Sequence, residues 1–328
     1  MITRTSSLSM NNAISGRLMK SQMQYNELQN QILSGLRITK ASTDPASASK
    51  IAVAKRQLSE YTMYSRSITS ANLQINSMES ALAQTTDKVE RASELVTQAA
   101  DETNSLNTIT PIKNELEELM KTIVMLANSQ VDGQYIFSGA NTATPAYSID
   151  ADGNVTYNGS SESKDGTVRQ LEISEGMYVP LNQSGDSIFG EYKVETDELG
   201  NKTVTATGIF GAIGQAISAM NGVLSDPSDP SSELVVDFDS IRSQIDNIKN
   251  EVDNISTVRA QFGAYSQRIE MTKNSIEENE LLVEDRRSQL QDVDIVQAIS
   301  NLTYQDYALQ ASMKISTSML SNTLLNYF

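Results

Sequence analysis

The side chains that could carry chemistry in this 328-residue chain are acids, hydroxyls and a modest set of lysines and arginines, because Cys, His and Trp are absent. That composition removes thiol nucleophiles, structural disulfides, Cys/His zinc sites and imidazole acid–base catalysis together. Asp150, Asp152 and Asn154 resemble a fragment of a calcium loop. Such a loop needs its glycine at the sixth position and a bidentate acid at the twelfth. Here the glycine, Gly153, comes fourth and no acid stands twelfth, so the segment reads as a hairpin turn. Glu277, Glu278, Glu280, Glu284 and Asp285 meet Arg286 and Arg287 at helical spacing, the pattern of a solvated charged face. Neither a Gly-x-Ser-x-Gly elbow nor a dinucleotide-type or Walker-type glycine loop occurs. No catalytic, cofactor-binding or metal site is assigned.

The bulk properties point away from several partners. A net charge of −16 lacks the concentrated basic face that phosphate binding needs, and it disfavours adsorption to an acidic membrane. No apolar run approaches the roughly 20 residues that span a bilayer, and the N-terminus has no apolar core of the kind found in a cleavable secretory signal. Charge is unevenly spread. Residues 1–40 carry Arg4, Arg17, Lys20, Arg37 and Lys40 against the single acid Glu27. Two readings stay open for that bias, a short helix with chance composition and an export segment that threads a narrow channel.

The elements that dominate the chain are two apolar ladders with a step of seven. The first holds Ala54, Tyr61, Ile68, Ile75, Leu82, Val89 and Val96, and the second Ile241, Ile248, Ile255, Phe262, Ile269, Ile276, Val283 and Leu290. A heptad step keeps one stripe of a slightly underwound helix facing a partner, so each ladder predicts a long coiled-coil helix. The two are expected to pair with each other as an intrachain core. Asp44 is placed as an N-cap before Pro45, and Gly35 as the stop of a preceding helix. From Pro45 the helix is expected to run to about Asn107, with Pro111 opening a further helix that folds back.

Thinner stripes occupy the ends. Ile14, Leu18, Tyr25, Leu28 and Ile32 follow an alternating four–three step only if Ser21 fills one seam position. Near the C-terminus, Ile295, Ile299, Leu302, Leu309, Met313 and Leu320 form a stripe interrupted by Asp306 and Ser316. Neither is apolar enough to hold an isolated helix. Residues 1–40 and 294–328 are therefore expected to be terminal helical segments, disordered until assembled, that present an interface to each other and to neighbouring copies.

Between the ladders the composition changes. Residues 131–232 hold 13 of the 16 glycines and four of the six prolines. Asp152-Gly153 separates Tyr147–Ile149 from Val155–Tyr157, and Gly200-Asn201 separates Tyr192–Val194 from Thr203–Thr205, both hairpin signals. Ile213, Ala216, Ile217 and Met220 suggest one short helix before a Pro227–Pro230 linker. The expected organisation is a mainly α chain. Its long antiparallel coiled-coil rod comes from 41–130 and 235–293, and a small β-rich outer domain is inserted at 131–234.

The segment Ser34-Gly35-Leu36-Arg37-Ile38-Thr39-Lys40-Ala41-Ser42-Thr43-Asp44-Pro45-Ala46-Ser47-Ala48 resembles the N-terminal signature of bacterial flagellins and their relatives. Gln261-Phe262-Gly263-Ala264-Tyr265-Ser266-Gln267-Arg268-Ile269 is similar to the matching C-terminal signature, and Gly133–Gly139 to the segment that leaves the helices. Val155–Gly159, Gly185–Gly190 and the tail Met319–Phe328 are more like the hook-associated members of that family than its filament subunits. The resemblance implies a structural adaptor between the flagellar hook and filament. It further implies ring assembly with copies of itself, and contact with hook-associated protein 1 and flagellin. A flagellar type III export chaperone would hold the C-terminal segment, and secretion would proceed without signal cleavage. It brings no cofactor. A minor flagellin and a surface adhesin acting through the inserted domain are the alternatives; an enzyme carried on that domain has no supporting residues.

Overall fold

The computed structural model describes residues 2–160, 169–196, 202–221, 223–224 and 234–325. The Gly200-Asn201 turn and the Pro227–Pro230 linker lie outside the described residues. The chain separates into two compact units, residues 1–62 with 277–328 and residues 63–276. Long helices form both ends: α1 (Ile2–Ser34), α2 (Pro45–Ala99) and α3 (Leu106–Ala127) precede the insert, and α5 (Phe238–Gln291) and α6 (Ile295–Leu325) follow it.

In the unit formed by 63–276, the ladder residues of α2 and α5 are the core. Ile75, Leu82, Val89 and Val96 of α2 and Ile241, Ile248 and Ile255 of α5 are wholly buried, and Ile68, Phe262, Ile269 and Ile276 nearly so. The helices run antiparallel, since Arg259 reaches Glu79 at 2.8 Å while Arg242, earlier in the chain, reaches Glu102, which lies later. In the other unit, Val283 is buried, whereas Tyr61 and Leu290 are half-exposed. Burying one Ile fully stabilises by about 1.5–3 kcal/mol relative to exposure, so a seam this regular carries much of the fold.

The expected continuous helix to Asn107 is interrupted. Helix α2 ends at Ala99, and α3 begins at Leu106 with Pro111 inside it. The cause is local polar chemistry. The Asp101 carboxylate accepts the Thr103 N–H at 3.0 Å and its hydroxyl at 2.9 Å, and the Asn104 amide donates to the Gln98 carbonyl at 2.8 Å. Ser105 N–H then donates to Thr108 Oγ1 at 2.8 Å, opening α3. Such side chains offer the backbone an alternative to helix and so favour turns and caps. Arg91, paired with Glu115 at 2.9 Å, ties α2 to α3.

The insert begins with a hairpin of β1 (Gln130–Val131) and β2 (Gln134–Tyr135), whose Asp132 and Gly133 take φ of 51° and 75°. A two-residue turn with both centres at positive φ matches the twist of paired strands. A four-stranded antiparallel sheet follows, β3 (Tyr147–Ile149), β4 (Val155–Tyr157), β7 (Glu191–Thr196) and β8 (Lys202–Thr207) in that order, with β5 (Gln170–Ser174) and β6 (Met177–Pro180) as a separate hairpin. The Asp152-Gly153 turn is thus found where expected. The Asp150 carboxylate accepts the N–H groups of Asp152 and Asn154 and the Asn154 amide, which closes the turn. Helix α4 (Gly208–Met220) packs on β7 and β8, and the short pair β9 (Val223–Leu224) and β10 (Leu234–Val235) closes the insert.

The insert's core is an aromatic cluster. Phe137 and Phe189 meet edge to face at 5.1 Å, and Tyr147 lies 5.0 Å from Phe210 and 5.9 Å from Phe189. Gly190 and Gly208, at φ of 67° and 60°, let two backbones cross, and a Cβ on Gly190 would overlap the Thr207 carbonyl. This core is tied to the helices, because Asn128 after α3 donates to the Tyr147 carbonyl and accepts its N–H, each at 2.9 Å.

The Tyr147 hydroxyl is buried without a hydrogen-bond partner among the described residues, and burial pushes its pKa up, so it stays protonated. An orphaned buried donor costs about 1–3 kcal/mol. Tyr147→Phe should therefore leave the unfolding free energy, read from denaturant melts, unchanged or raise it by up to about 1 kcal/mol. Ile255→Ala, which opens a cavity in the helical seam, should cost about 2–5 kcal/mol. A loss for Tyr147→Phe equal to that of Ile255→Ala would show that the hydroxyl is bonded.

Candidate assembly interface

Helices α1 and α6 pack side by side and antiparallel within the unit formed by 1–62 and 277–328. The stripe of α1 faces α6 as Ile14, Leu18, Ser21, Tyr25, Leu28 and Ile32, every one of them half-buried. Ser21 does occupy the seam position that the four–three spacing required. Gln305 Nε2 donates to Ser21 Oγ at 3.0 Å and approaches the Ser21 carbonyl at 3.3 Å. A polar pair thus stands where an apolar knob would otherwise sit, which fixes register at some cost in stability.

The stripe of α6 differs from the one picked out by hydrophobicity. The inward residues are Ala298, Leu302, Gln305, Leu309, Ser312 and Ser316, an unbroken four–three series of mostly small or polar side chains. Of the apolar residues placed on that helix, Leu302 and Leu309 face inward, while Ile295, Ile299 and Met313 are about half-exposed. The side chain of Leu320 lies outside the described residues. Val296, Tyr304 and Tyr307 are still more exposed, at 81%, 76% and 68%. Small residues at 298, 312 and 316 let the helices approach closely, and Ile295, Ile299 and Met313 are left pointing outward. Step regularity without regard to hydrophobicity would have found the inward series.

Shallow concavities run along the same pair. One is lined by Ala13, Ile14, Arg17, Ser312 and Ile315, another by Gln24, Leu28, Gln31, Tyr304 and Gln305. Neither holds a convergent set of acids, bases or nucleophiles. Among the described residues no group of three or more Asp or Glu is arranged to hold a metal ion. What this arrangement offers is exposed apolar surface on paired helices, which is suited to packing against other helices.

The pair is held at its base by a clasp that sequence reasoning missed. Gly35, at φ 71°, ends α1, and the next residues form a short antiparallel bridge, Leu36 opposite Asp292. Arg37 N–H donates to the Gln291 carbonyl at 2.7 Å, and Val293 N–H to the Gly35 carbonyl at 2.9 Å. The Arg37 guanidinium donates to the Leu290 carbonyl at 2.6 Å, placing a cation on the negative end of the α5 dipole. Gln31 closes the arrangement by donating to the Arg37 carbonyl at 3.0 Å. Ile38 is buried beneath it. On the far side, Asp44 caps α2 by accepting the Ser47 N–H at 3.0 Å; hydrogen bonding from Ser47 holds its carboxyl below the usual range. The stretch Gly35–Pro45 is therefore a stop, a clasp and a cap in sequence.

Two family models match the chain. The bacterial flagellin N-terminal helical region covers residues 5–142, and the bacterial flagellin C-terminal helical region covers residues 245–328. Among curated proteins, the chain is 26% identical over 300 residues to flagellar hook-associated protein 3 of Escherichia coli, covering 91% of each chain. It is 25% identical over 305 residues to the protein of the same name from Salmonella typhimurium, covering 93% of each. Among solved structures, flagellar hook-associated protein 3 of Legionella pneumophila superposes with a TM-score of 0.58 at 16% identity. That match covers 73% of this chain and 98% of the other. The Xanthomonas campestris protein FlgL gives a TM-score of 0.56 at 21% identity, covering 72% and 99%.

The clasp has a direct test. Removing the exposed Arg37 guanidinium should cost about 1 kcal/mol, the scale of a charge-assisted bond discounted for solvent. Arg37→Ala should then speed amide hydrogen exchange at residues 290–293 by about five-fold while leaving 248–269 unchanged. Arg37→Lys should recover only part, since a point charge replaces a planar fork. An exchange map identical to wild type would remove Arg37 from this role.

Proposed function

The chain belongs to the bacterial flagellin family, a family of structural flagellar proteins, and from that premise we propose that it is the adaptor joining the hook to the filament. The observation that carries this reading is coverage. The likeness to hook-associated protein 3 spans nine-tenths or more of both chains, insert included, and is not confined to the helical ends that flagellins share. Copies assemble into a ring through the paired ends α1 and α6, whose outward faces keep Val296, Ile299, Tyr304, Tyr307 and Met313 available for neighbours. Hook-associated protein 1 lies on one side of the ring and flagellin on the other. The chain reaches that place by type III export, held beforehand by an export chaperone and without loss of a signal peptide.

The weak seam between α1 and α6 fits this role. Mostly half-buried apolar residues, a Ser–Gln pair and two serines give it little stability of its own, so residues 1–40 and 294–328 settle fully only when copies pack together. In the free monomer, amides of 9–32 and 298–318 should exchange far faster than those of the α2–α5 seam. Equal protection in a chain shown to be monomeric by sedimentation would rule out ordering on assembly.

The function itself is tested in cells. A strain lacking this chain should build complete hooks and release flagellin into the medium without retaining filaments. Extra flagellin should not restore them, because the missing part is the fit between two helical lattices. Purified protein added to flagellin seeds should not grow long filaments by itself. Long homopolymers in that assay would make the chain a filament subunit instead.

A further inference from the structure

The two connections that meet at the clasp are very unequal. Helix α5 passes to α6 through residues 292–294, whereas α1 passes to α2 through residues 35–44. The shorter one has almost no slack. Asp292 N–H still donates to the Ser288 carbonyl at 2.8 Å, and Asp294 already caps α6 by accepting the Gln297 N–H at 3.1 Å. Val293 alone stands between the two helices, so the start of α6 is pinned to the end of α5. The longer connection is different, since ten residues fully extended reach about 33 Å. Its residues 39–43 are exposed, and among the described residues they bond only within their own turn, Thr43 N–H to the Lys40 carbonyl at 3.1 Å. Without the bonds made by residues 35–38, α1 would be free to slide along a fixed α6.

The seam between these helices opposes such a slide weakly. Its four–three spacing repeats every seven residues and is blind to a shift of one heptad, which moves a helix by about 10 Å. That shift would carry Ser21 from Gln305 to Ser312 and bring Leu28 to Gln305. Yet Tyr25 would then meet Leu309, and Ile32 would meet Leu302, so large apolar side chains would again be matched. The main feature that tells the two registers apart is the Ser21–Gln305 hydrogen bond. Between half-buried side chains one such bond discriminates only modestly.

We propose that the clasp selects the register of the terminal pair. Arg37 N–H on the Gln291 carbonyl, Val293 N–H on the Gly35 carbonyl and the Arg37 guanidinium on the Leu290 carbonyl hold the end of α1 at the level where α6 begins. They take up the slack of 35–44 and leave the register in which Ser21 faces Gln305. The Val293 bond acts on the one residue that separates α5 from α6, so a single set of contacts fixes both connections. Register also shapes the outside of the pair. Its concavities are lined by both helices, Ile14 and Arg17 with Ile315 in one of them, and a slip of two turns would remake them. What that does to neighbouring copies rests on the assembly reading above; the choice of register does not.

The natural absence of Cys allows the register to be read by cross-linking. Two purified full-length chains are treated at high dilution with a short thiol-specific cross-linker, and the product within one chain is measured. Ser21→Cys with Gln305→Cys reports the observed register, and Ser21→Cys with Ser312→Cys the slipped one. Both pairs delete the Ser21–Gln305 bond, so a preference that survives belongs to the clasp. The first pair should cross-link about ten-fold more than the second, the scale of one or two hydrogen bonds. Arg37→Pro removes the guanidinium and the N–H together, and the ratio should then fall to within about two-fold. Val293→Pro, which removes the opposite N–H, should do the same, and Arg37→Ala, the mildest change, should lower the ratio part of the way. Unchanged amide exchange at 248–269 shows for each variant that the chain remains folded. Equal yields with the clasp intact, no product from the first pair, or a ratio that none of the three substitutions moves would each overturn this role of the clasp. None of these outcomes bears on where the chain sits on the flagellum, so the junction reading stands or falls separately.

Discussion

The fold depends on one packing constraint, that two apolar stripes from opposite ends of the chain must bury each other. Ile75 and Leu82 near the start, and Ile248 and Ile255 near the end, have no access to solvent. Neither stripe could remain dry on a lone helix, whose exposed heptad face would draw any other apolar surface. Bringing residues about two hundred positions apart together closes a long loop, but the entropic cost of closure grows only slowly with length. An insert of a hundred residues between the two helices is therefore tolerated. Ion pairs such as Arg259–Glu79 lie along the flank of this seam and choose the antiparallel direction; their partial exposure limits what they add to its strength.

The same principle, applied with weaker materials, shapes the ends. Helices α1 and α6 repeat the four–three pairing, but their seam has a Ser–Gln hydrogen bond at its middle and Ala or Ser where bulk could sit. A seam built in this way sets register without fixing the pair tightly. Val296, Ile299, Tyr304, Tyr307 and Met313 of α6 turn outward, where water is the alternative to a neighbour. The clasp of Leu36 and Arg37 against the end of α5 gives the two strands leaving the helices a common base. Its guanidinium meets carbonyls that the helix geometry leaves without partners.

The insert follows a different physics. Three of its segments, Gly133–Gly139, Val155–Gly159 and Gly185–Gly190, are far apart in sequence and meet in one aromatic cluster. Phe137 comes from the first, Tyr157 from the second and Phe189 from the third, and glycines stand where backbones approach too closely for a side chain. Tyr157 Oη lies 3.2 Å from the Phe137 carbonyl and 3.0 Å from Ser184 Oγ, so the same cluster also satisfies the polar groups that its turns bury. Because Asn128 holds Tyr147 at both its N–H and its carbonyl, the sheet is anchored directly to the end of α3.

Much of this was legible in the residues. The heptad ladders, the Asp44–Pro45 helix start, the Gly35 stop, the Asp152-Gly153 turn and the seam position of Ser21 are local consequences of period, capping and glycine geometry, which a sequence states directly. The absence of Cys and His also determined what chemistry was closed to the chain. Three things needed the tertiary structure. Which face of α6 turns inward went against hydrophobicity, because close helix approach favours Ala298, Ser312 and Ser316 over Ile299 and Met313. The break between Ala99 and Leu106 was decided by side-chain hydrogen bonds from Asp101 and Asn104 that outcompete helix continuation at that point. The work of Arg37 stayed hidden because its partners, the carbonyls at 290 and 291, are more than two hundred and fifty residues away, and no periodicity connects a side chain to a distant helix end.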